Sequence, residues 1–436
     1  PDTHTTAPNT HTTAPNTHTT AYSLAPSSNM IFVQIASYRD PELLPTIQDA
    51  LSKAKYPADL RFGVCWQHGP EETAMNVFSG NPQFRVDDVP WRQSQGLGWA
   101  RSRLQKMWEG EEFTLQLDSH HRFIQDWDAL LMQDCEATCS AKPIITTYAG
   151  TYDPSGEKAP ATEPYCMVAD RFTSHGTIMF LPQVIKGWQD MNRPLRSRFV
   201  SGHFYFTLGQ HCEDYRYDPQ LYFAGDEISL AIRSYTSGYD LFHPHRLRVW
   251  HEYTRAGRVK HWDDHLTQNE LVAWHERDVI SKRRLRKLLK EEENDEDISG
   301  HDLGTVRSHH DYELYAGINF SKRTLHADAV KGIAPPCTYM DGASWDSSFL
   351  KEQTVDLKWN DSDIGSCTDL KFVYFAIECA DGKVLHRFDA DAESPEAKKQ
   401  TNHKTVRFLS SASPARFILW PVSHSKGWLD KVIQAL

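Results

Sequence analysis

The stretch Ile31-Phe32-Val33-Gln34-Ile35-Ala36-Ser37-Tyr38-Arg39-Asp40-Pro41 decides the fold class. Its first six residues form a short, mostly apolar run of the kind a buried strand needs. Ser-Tyr-Arg-Asp-Pro then ends the run in a loop, because proline and short polar side chains interrupt regular pairing. Immediately afterwards Leu43, Leu44, Ile47 and Leu51 recur at helical spacing over 42–54.

Working outward, Arg61-Phe62-Gly63-Val64-Cys65-Trp66 reads as a second strand and Gln83-Phe84-Arg85-Val86 as a weaker one. Gly98 to Trp108 reads as an amphipathic helix leading into the strand Phe113-Thr114-Leu115-Gln116-Leu117. Strands separated by helices predict an α/β layer fold with a largely parallel sheet. Residues 262–294 read as one helix whose end changes sign from Lys282-Arg283-Arg284 to Glu291-Glu292-Glu293, a solvated face followed by an acidic loop at 294–300. Beyond Pro335-Pro336 the texture is β-like, with strand candidates at 354–359, 370–377 and 406–409. At the other end, Pro1-Asp2-Thr3-His4-Thr5-Thr6-Ala7 is followed by two copies of Pro-Asn-Thr-His-Thr-Thr-Ala, with nothing apolar larger than alanine. Such a segment offers too little burial to offset its ordering entropy and is expected to be a flexible tail. The predicted organisation is a tail over 1–28, an α/β catalytic domain over 29–330 and a small all-β accessory domain over 331–436.

A chain of 436 residues, 39% hydrophobic, suffices for one large core and a smaller second one. The 47 basic and 58 acidic residues give a formal charge of −11, which argues against a nucleic-acid or anionic-membrane binder. An anionic small ligand therefore needs a local basic site or a metal. No stretch approaches the ~20 apolar residues of a membrane span, and no basic segment precedes an apolar one near the start. The eight cysteines show no paired CxxC spacing and read as reduced thiols, so a cytoplasmic location is expected.

Asp118-Ser119-His120 lies just past a strand, where open α/β sheets place ligand-binding groups. A spacing of two lets a carboxylate and an imidazole face one ion. That mixed pair suits Mn²⁺ or another divalent cation, which neutralises charge on a departing nucleotide diphosphate.

Together with that motif, Ile35 to Pro41, Trp99-Ala100-Arg101-Ser102, Leu115 to His120 and Phe123 resemble the cytoplasmic hydroxyproline-directed N-acetylglucosaminyltransferases and their bacterial relatives. The resemblance continues in order through Phe223-Ala224-Gly225-Asp226-Glu227-Ile228, Gly238 to Pro244, Val249-Trp250-His251-Glu252-Tyr253 and Leu303-Gly304-Thr305-Val306-Arg307. It covers about 31–325. It implies a GT-A fold, a Rossmann-like nucleotide-sugar-binding layer, with a UDP-sugar donor and a metal held by Asp118, His120 and a later histidine. His251 matches the later histidine; His243 and His245, flanking a proline, rank behind it. The resemblance further implies N-acetylglucosamine as the sugar, a hydroxyl acceptor on a protein or glycan, and retention of anomeric configuration.

Asp226 and Glu227 match the family's acidic pair, and either one is expected to orient the acceptor hydroxyl or steady an oxocarbenium-like transition state. Ser37 and Arg39 follow the first strand, where a GT-A fold receives uracil and ribose. Arg101 suits phosphate geometry, and Gly202, before the aromatic run His203-Phe204-Tyr205-Phe206, admits close approach of a sugar. Two rival classes are a catalytically inactive carbohydrate-binding or scaffold protein with a GT-A shell, and a zinc hydrolase. The second lacks an HExxH helix, and its 22 histidines are dispersed.

Overall fold

The computed structural model describes residues 29–173, 175–254, 257–266, 272–337 and 347–436. The tail expected over 1–28 lies outside the described residues.

The opening run forms β1, Ile31–Tyr38, and the apolar spacing after it forms α1, Leu43–Lys53. Then follow β2 (Leu60–His68), β3 (Phe84–Pro90), α2 (Leu97–Gln105), β4 (Phe113–Asp118) and β5 (His121–Phe123). Next come α3 (Trp127–Ala137), β6 (Pro143–Thr146), β7 (Gly150–Thr151), β8 (Tyr165–Phe172), β9 (Ile178–Val184) and β10 (Leu195–Arg196). The α/β unit continues with β11 (Phe204–Leu208), α4 (His211–Asp214), α5 (Asp226–Thr236), β12 (Asp240–His243) and β13 (Val249–His251).

The large sheet has the order β10-β12-β6-β11-β4-β1-β2-β3. β1 lies between β2 and β4, parallel to both, and its two faces are covered by different layers. Ile31, Val33 and Ile35 pack with α1 and α3 through Leu43, Ile47, Trp127 and Leu131. On the other side, α2 sets Ala100 and Leu104 against Cys65 and Val89. Cover on both faces explains why β1 reads as a continuous apolar run and not as an alternation.

The sheet is largely parallel, as expected, with β11 running antiparallel to both β4 and β6 and β10 antiparallel to β12. The chain enters β11 beside the carboxyl end of β4, with Phe204 opposite Leu117, so that strand must run backwards. The long helix read over 262–294 is instead two helices, α6 (His261–Asp264) and α7 (Trp274–Leu288). α7 ends before the acidic run, where Lys290 adopts a left-handed φ of 54° that no helix continues through. Residues 267–271 between them are outside the described set.

The α/β unit closes with α8 (His309–Ala316), β14 (Ile318–Asn319), β15 (Thr324–His326) and α9 (Ala327–Lys331). β16 (Phe349–Lys358), β17 (Leu370–Glu378), β18 (Val384–Asp391), β19 (His403–Ser410) and β20 (Arg416–Ser423) then build the expected β-rich part. Its own core gathers Leu357, Trp359, Val373, Phe375, Phe417 and Leu419. Its first strand also pairs with β15, Leu325 opposite Leu350, so the two cores share a sheet at their junction. Among the described residues, no helix is long and apolar enough to cross a membrane.

Candidate active site

Asp118 ends β4 and His120 stands in the turn before β5, at the carboxyl end of the parallel strands where such sheets place ligands. His251 reaches them through pairing: β13 lies antiparallel to β5, with His251 opposite His121. The ligand atoms of Asp118, His120 and His251 all fall within 4.8 Å of one another. Asp118 Oδ2 is 3.8 Å from His120 Nε2 and 3.5 Å from His251 Nε2. Those separations are too long for good hydrogen bonds. They are close to the spacing of two ligands around one cation with bonds of roughly 2.1 Å.

Both Nε2 atoms are buried and have no hydrogen-bond partner. Unspent acceptors at that depth are costly unless something fills the gap between them. Burial also holds His251 well below the ordinary histidine range, which keeps a lone pair for a cation. His203 stacks on the His251 ring at 4.3 Å, and its own Nε2 accepts from Ala149 N. The donor set therefore fits a divalent ion such as Mn²⁺.

The other sequence candidates divide. Ala36 and Tyr38 line a cavity of about 760 Å³ above the trio, whereas Ser37 points to the opposite face of β1 and is fully buried. Arg39 takes a left-handed turn at φ 46°, and its guanidinium pairs with Asp264, Glu71 and Glu72 outside the cavity. Arg101 lies at the cavity floor, 1% exposed. Its guanidinium donates to Asp226 Oδ2 (2.5 Å), Asp118 Oδ1 (3.2 Å), the Gly202 carbonyl (2.5 Å) and Tyr217 Oη (3.2 Å). It is thus committed to fixing two carboxylates. His243 bonds Thr146 O through Nδ1 and accepts from Met167 N, a satisfied core histidine. His245 stands near Asp134, away from the trio.

Asp226 and Glu227 open α5, and Gly225 before them takes φ 89° with Leu285 pressed against it. Glu227 accepts from Tyr148 Oη at 2.5 Å and from Gly202 N at 2.9 Å. A Cβ on Gly202 would sit 2.7 Å from Asp226 Oδ2, so this backbone must remain glycine to approach the acidic pair. Burial pushes the Glu227 carboxyl up to about 7 despite those two donors. Burial also raises Asp226, opposed by Arg101.

Sequence reading missed Tyr148, Tyr253 and Arg258, all on the cavity wall, and gave Asp40 no task. Asp40 was visible in the quoted loop. Arg258 was not, since it meets Asp40 only across 218 positions of chain. The cavity wall also carries apolar side chains, among them Met179, Phe223 and Trp262, the first two exposed.

A family model described as "Glycosyltransferase (GlcNAc)" matches residues 30–81 and 74–321, more than half of the chain. No curated protein matches significantly. Among solved structures, GalNAc-T7 with UDP, GalNAc and Mn²⁺ aligns at TM-score 0.44 and 14% identity, over 59% of this chain and 48% of that one. S. aureus TarS 1-349 with UDP-GlcNAc aligns at 0.35 and 13%, over 53% and 60%. The same protein with UDP aligns at 0.37 and 12%, over 62% and 68%. The chain thus spans about half to two thirds of these structures, and overlaps at such scores assign neither substrate nor mechanism.

Proposed function

Because this chain belongs to the GlcNAc glycosyltransferase family, we propose that it transfers N-acetylglucosamine from UDP-GlcNAc to a hydroxyl on a protein or glycan. Transfer proceeds on a GT-A layer over 29–330, with 331–436 as an accessory unit. The observation that carries this reading is the Asp118, His120 and His251 trio on the floor of a cavity that also holds Glu227.

Asp118, His120 and His251 would hold a divalent cation, Mn²⁺ first among them. When bound, the cation supplies positive charge against the diphosphate. The remaining work falls to the chain's own groups. Arg101 holds Asp118 and Asp226 in place from beneath. Glu227, poised near neutrality and held at both oxygens, orients the acceptor hydroxyl and receives its proton. Of the acidic pair, Glu227 leads, because Asp226 is tied to Arg101. Tyr148, Tyr253 and Phe223 line the path by which an acceptor enters and keep bulk water from the reacting centre. Retention of configuration rests on the sequence resemblance. The inactive-scaffold alternative is disfavoured by the unspent nitrogens of His120 and His251, which a binding shell has no use for.

The test is UDP release by the purified chain with Mn²⁺ and a panel of UDP-sugars. Release from UDP-GlcNAc above the other sugars supports the reading, and no release from any sugar overturns it.

A further inference from the structure

The two imidazoles of the trio are not equally supported. His120 Nδ1 lies 2.7 Å from Asp40 Oδ2, while neither nitrogen of His251 has a hydrogen-bond partner. Asp40 is itself held from several sides. Ser119 Oγ donates to Oδ2 at 2.7 Å, Glu42 N to Oδ1 at 2.9 Å, and Arg258 Nη1 to both oxygens at 2.8 and 3.0 Å. The residue is 9% exposed, and it stands where the chain turns out of β1 through the left-handed Arg39. A carboxylate so anchored has little freedom to rotate.

We propose that Asp40 is a positioning residue that fixes His120 as its Nδ1–H tautomer and so aims the Nε2 lone pair at the gap shared with Asp118 and His251. The inference rests on the function proposed above and extends it to a residue that does not itself touch the cation or the donor. A neutral imidazole carries one ring proton, and an ionised carboxylate is an acceptor only. At 2.7 Å the proton must therefore lie on Nδ1, between nitrogen and carboxylate. That leaves Nε2 as the bare nitrogen, and Nε2 is the atom found buried without a partner. The opposite tautomer would put an N–H into the gap and leave the lone pair facing a carboxylate, wrong at both ends. Such carboxylate–histidine supports are worth about 10–100-fold in metal affinity.

A purely structural role, in which Asp40 only ties the chain around 258 to the end of β1, makes a different prediction. In that case Arg258→Met would cost as much as Asp40→Asn, since either change breaks the tie. If Asp40 acts through His120, Arg258→Met leaves the Asp40 to His120 pair in place.

The experiment reads the tautomer directly, by long-range ¹H–¹⁵N correlation on metal-free protein labelled at histidine. His120 is assigned by the signal lost in His120→Gln. Mn²⁺ affinity is measured in parallel by electron paramagnetic resonance of the free ion. The expected result is Nδ1–H in the wild type and in Arg258→Met, and Nε2–H in Asp40→Asn. Mn²⁺ binding should be weakened about 10–100-fold in Asp40→Asn and only a few-fold in Arg258→Met. Nε2–H in the wild type overturns the proposal without any variant having to fold. An unchanged tautomer in Asp40→Asn, or an equal loss of affinity in Arg258→Met, also overturns it. A wild type that shows the Nδ1–H form yet binds no Mn²⁺ refutes the metal site and the proposed function, and this inference falls with them for that separate reason.

Discussion

Glu227→Gln is expected to make the protein more stable and less active, and the stability gain should depend on pH. Burial raises this carboxyl from 4.5 to about 7 in the folded chain. The folded state therefore holds the proton more tightly than the unfolded state, in which the group titrates near its ordinary value. Below about pH 4 both states are protonated, and the site costs nothing. As pH rises through 4.5 to 7 the unfolded state ionises first, so stability is lost across that window and stays lost above it. A rise of about 2.5 units at ~1.4 kcal/mol each gives on the order of 3–4 kcal/mol at pH 8. A neutral glutamine still accepts from Gly202 N and escapes that cost. For an α/β unit of this size, the midpoint should rise by roughly 4–6 °C at pH 8 and by little at pH 4.5. Differential scanning calorimetry of wild type and variant at both pH values is the assay, beside sugar transfer from UDP-GlcNAc, which should fall by about 100-fold or more. An equal change at both pH values, or destabilisation at pH 8, would refute the reasoning that Glu227 is held uncomfortably for the sake of catalysis.

Three further outcomes follow from the same geometry. Arg101→Met strands Asp226 without its buried partner and should cost about 3–5 kcal/mol in urea denaturation, with partial recovery in Arg101→Met/Asp226→Asn; additive losses would contradict the pairing. Asp118→Asn preserves shape but removes a charged ligand, so Mn²⁺-dependent UDP release should drop by at least about 100-fold while the thermal midpoint stays within a few degrees. Chelation should abolish turnover and leave far-ultraviolet circular dichroism unchanged, because the trio is an open site and not a structural cage; melting on chelation would show a structural metal instead.

Much of this arrangement was legible in the sequence because it is local. β1, α1 and the Asp118 to His120 spacing follow from apolar periodicity and the end of a strand. Ser37 was misplaced for a reason that the same periodicity contains. Side chains alternate along a strand, so with Ala36 and Tyr38 facing the cavity, Ser37 must face away. Arg39 escaped because one left-handed residue redirects it to Asp264, and a single φ is not written in composition. The reversed β11 and the arrival of His251 on β13 are tertiary pairings between distant segments. For His251 the residues offered a strand end after Val249-Trp250, as β13 has it, and the family resemblance supplied the ligand role.

The proposed function requires Asp118, His120 and His251 to hold one divalent ion beneath the donor cavity. Anomalous diffraction from crystals of this protein grown with Mn²⁺ and UDP tests it most directly. The expected result is a single strong manganese peak bounded by an Asp118 carboxylate oxygen, His120 Nε2 and His251 Nε2, with the diphosphate on its open side. A peak at another set of residues, or ordered UDP in the cavity with no manganese beside those three, would contradict it.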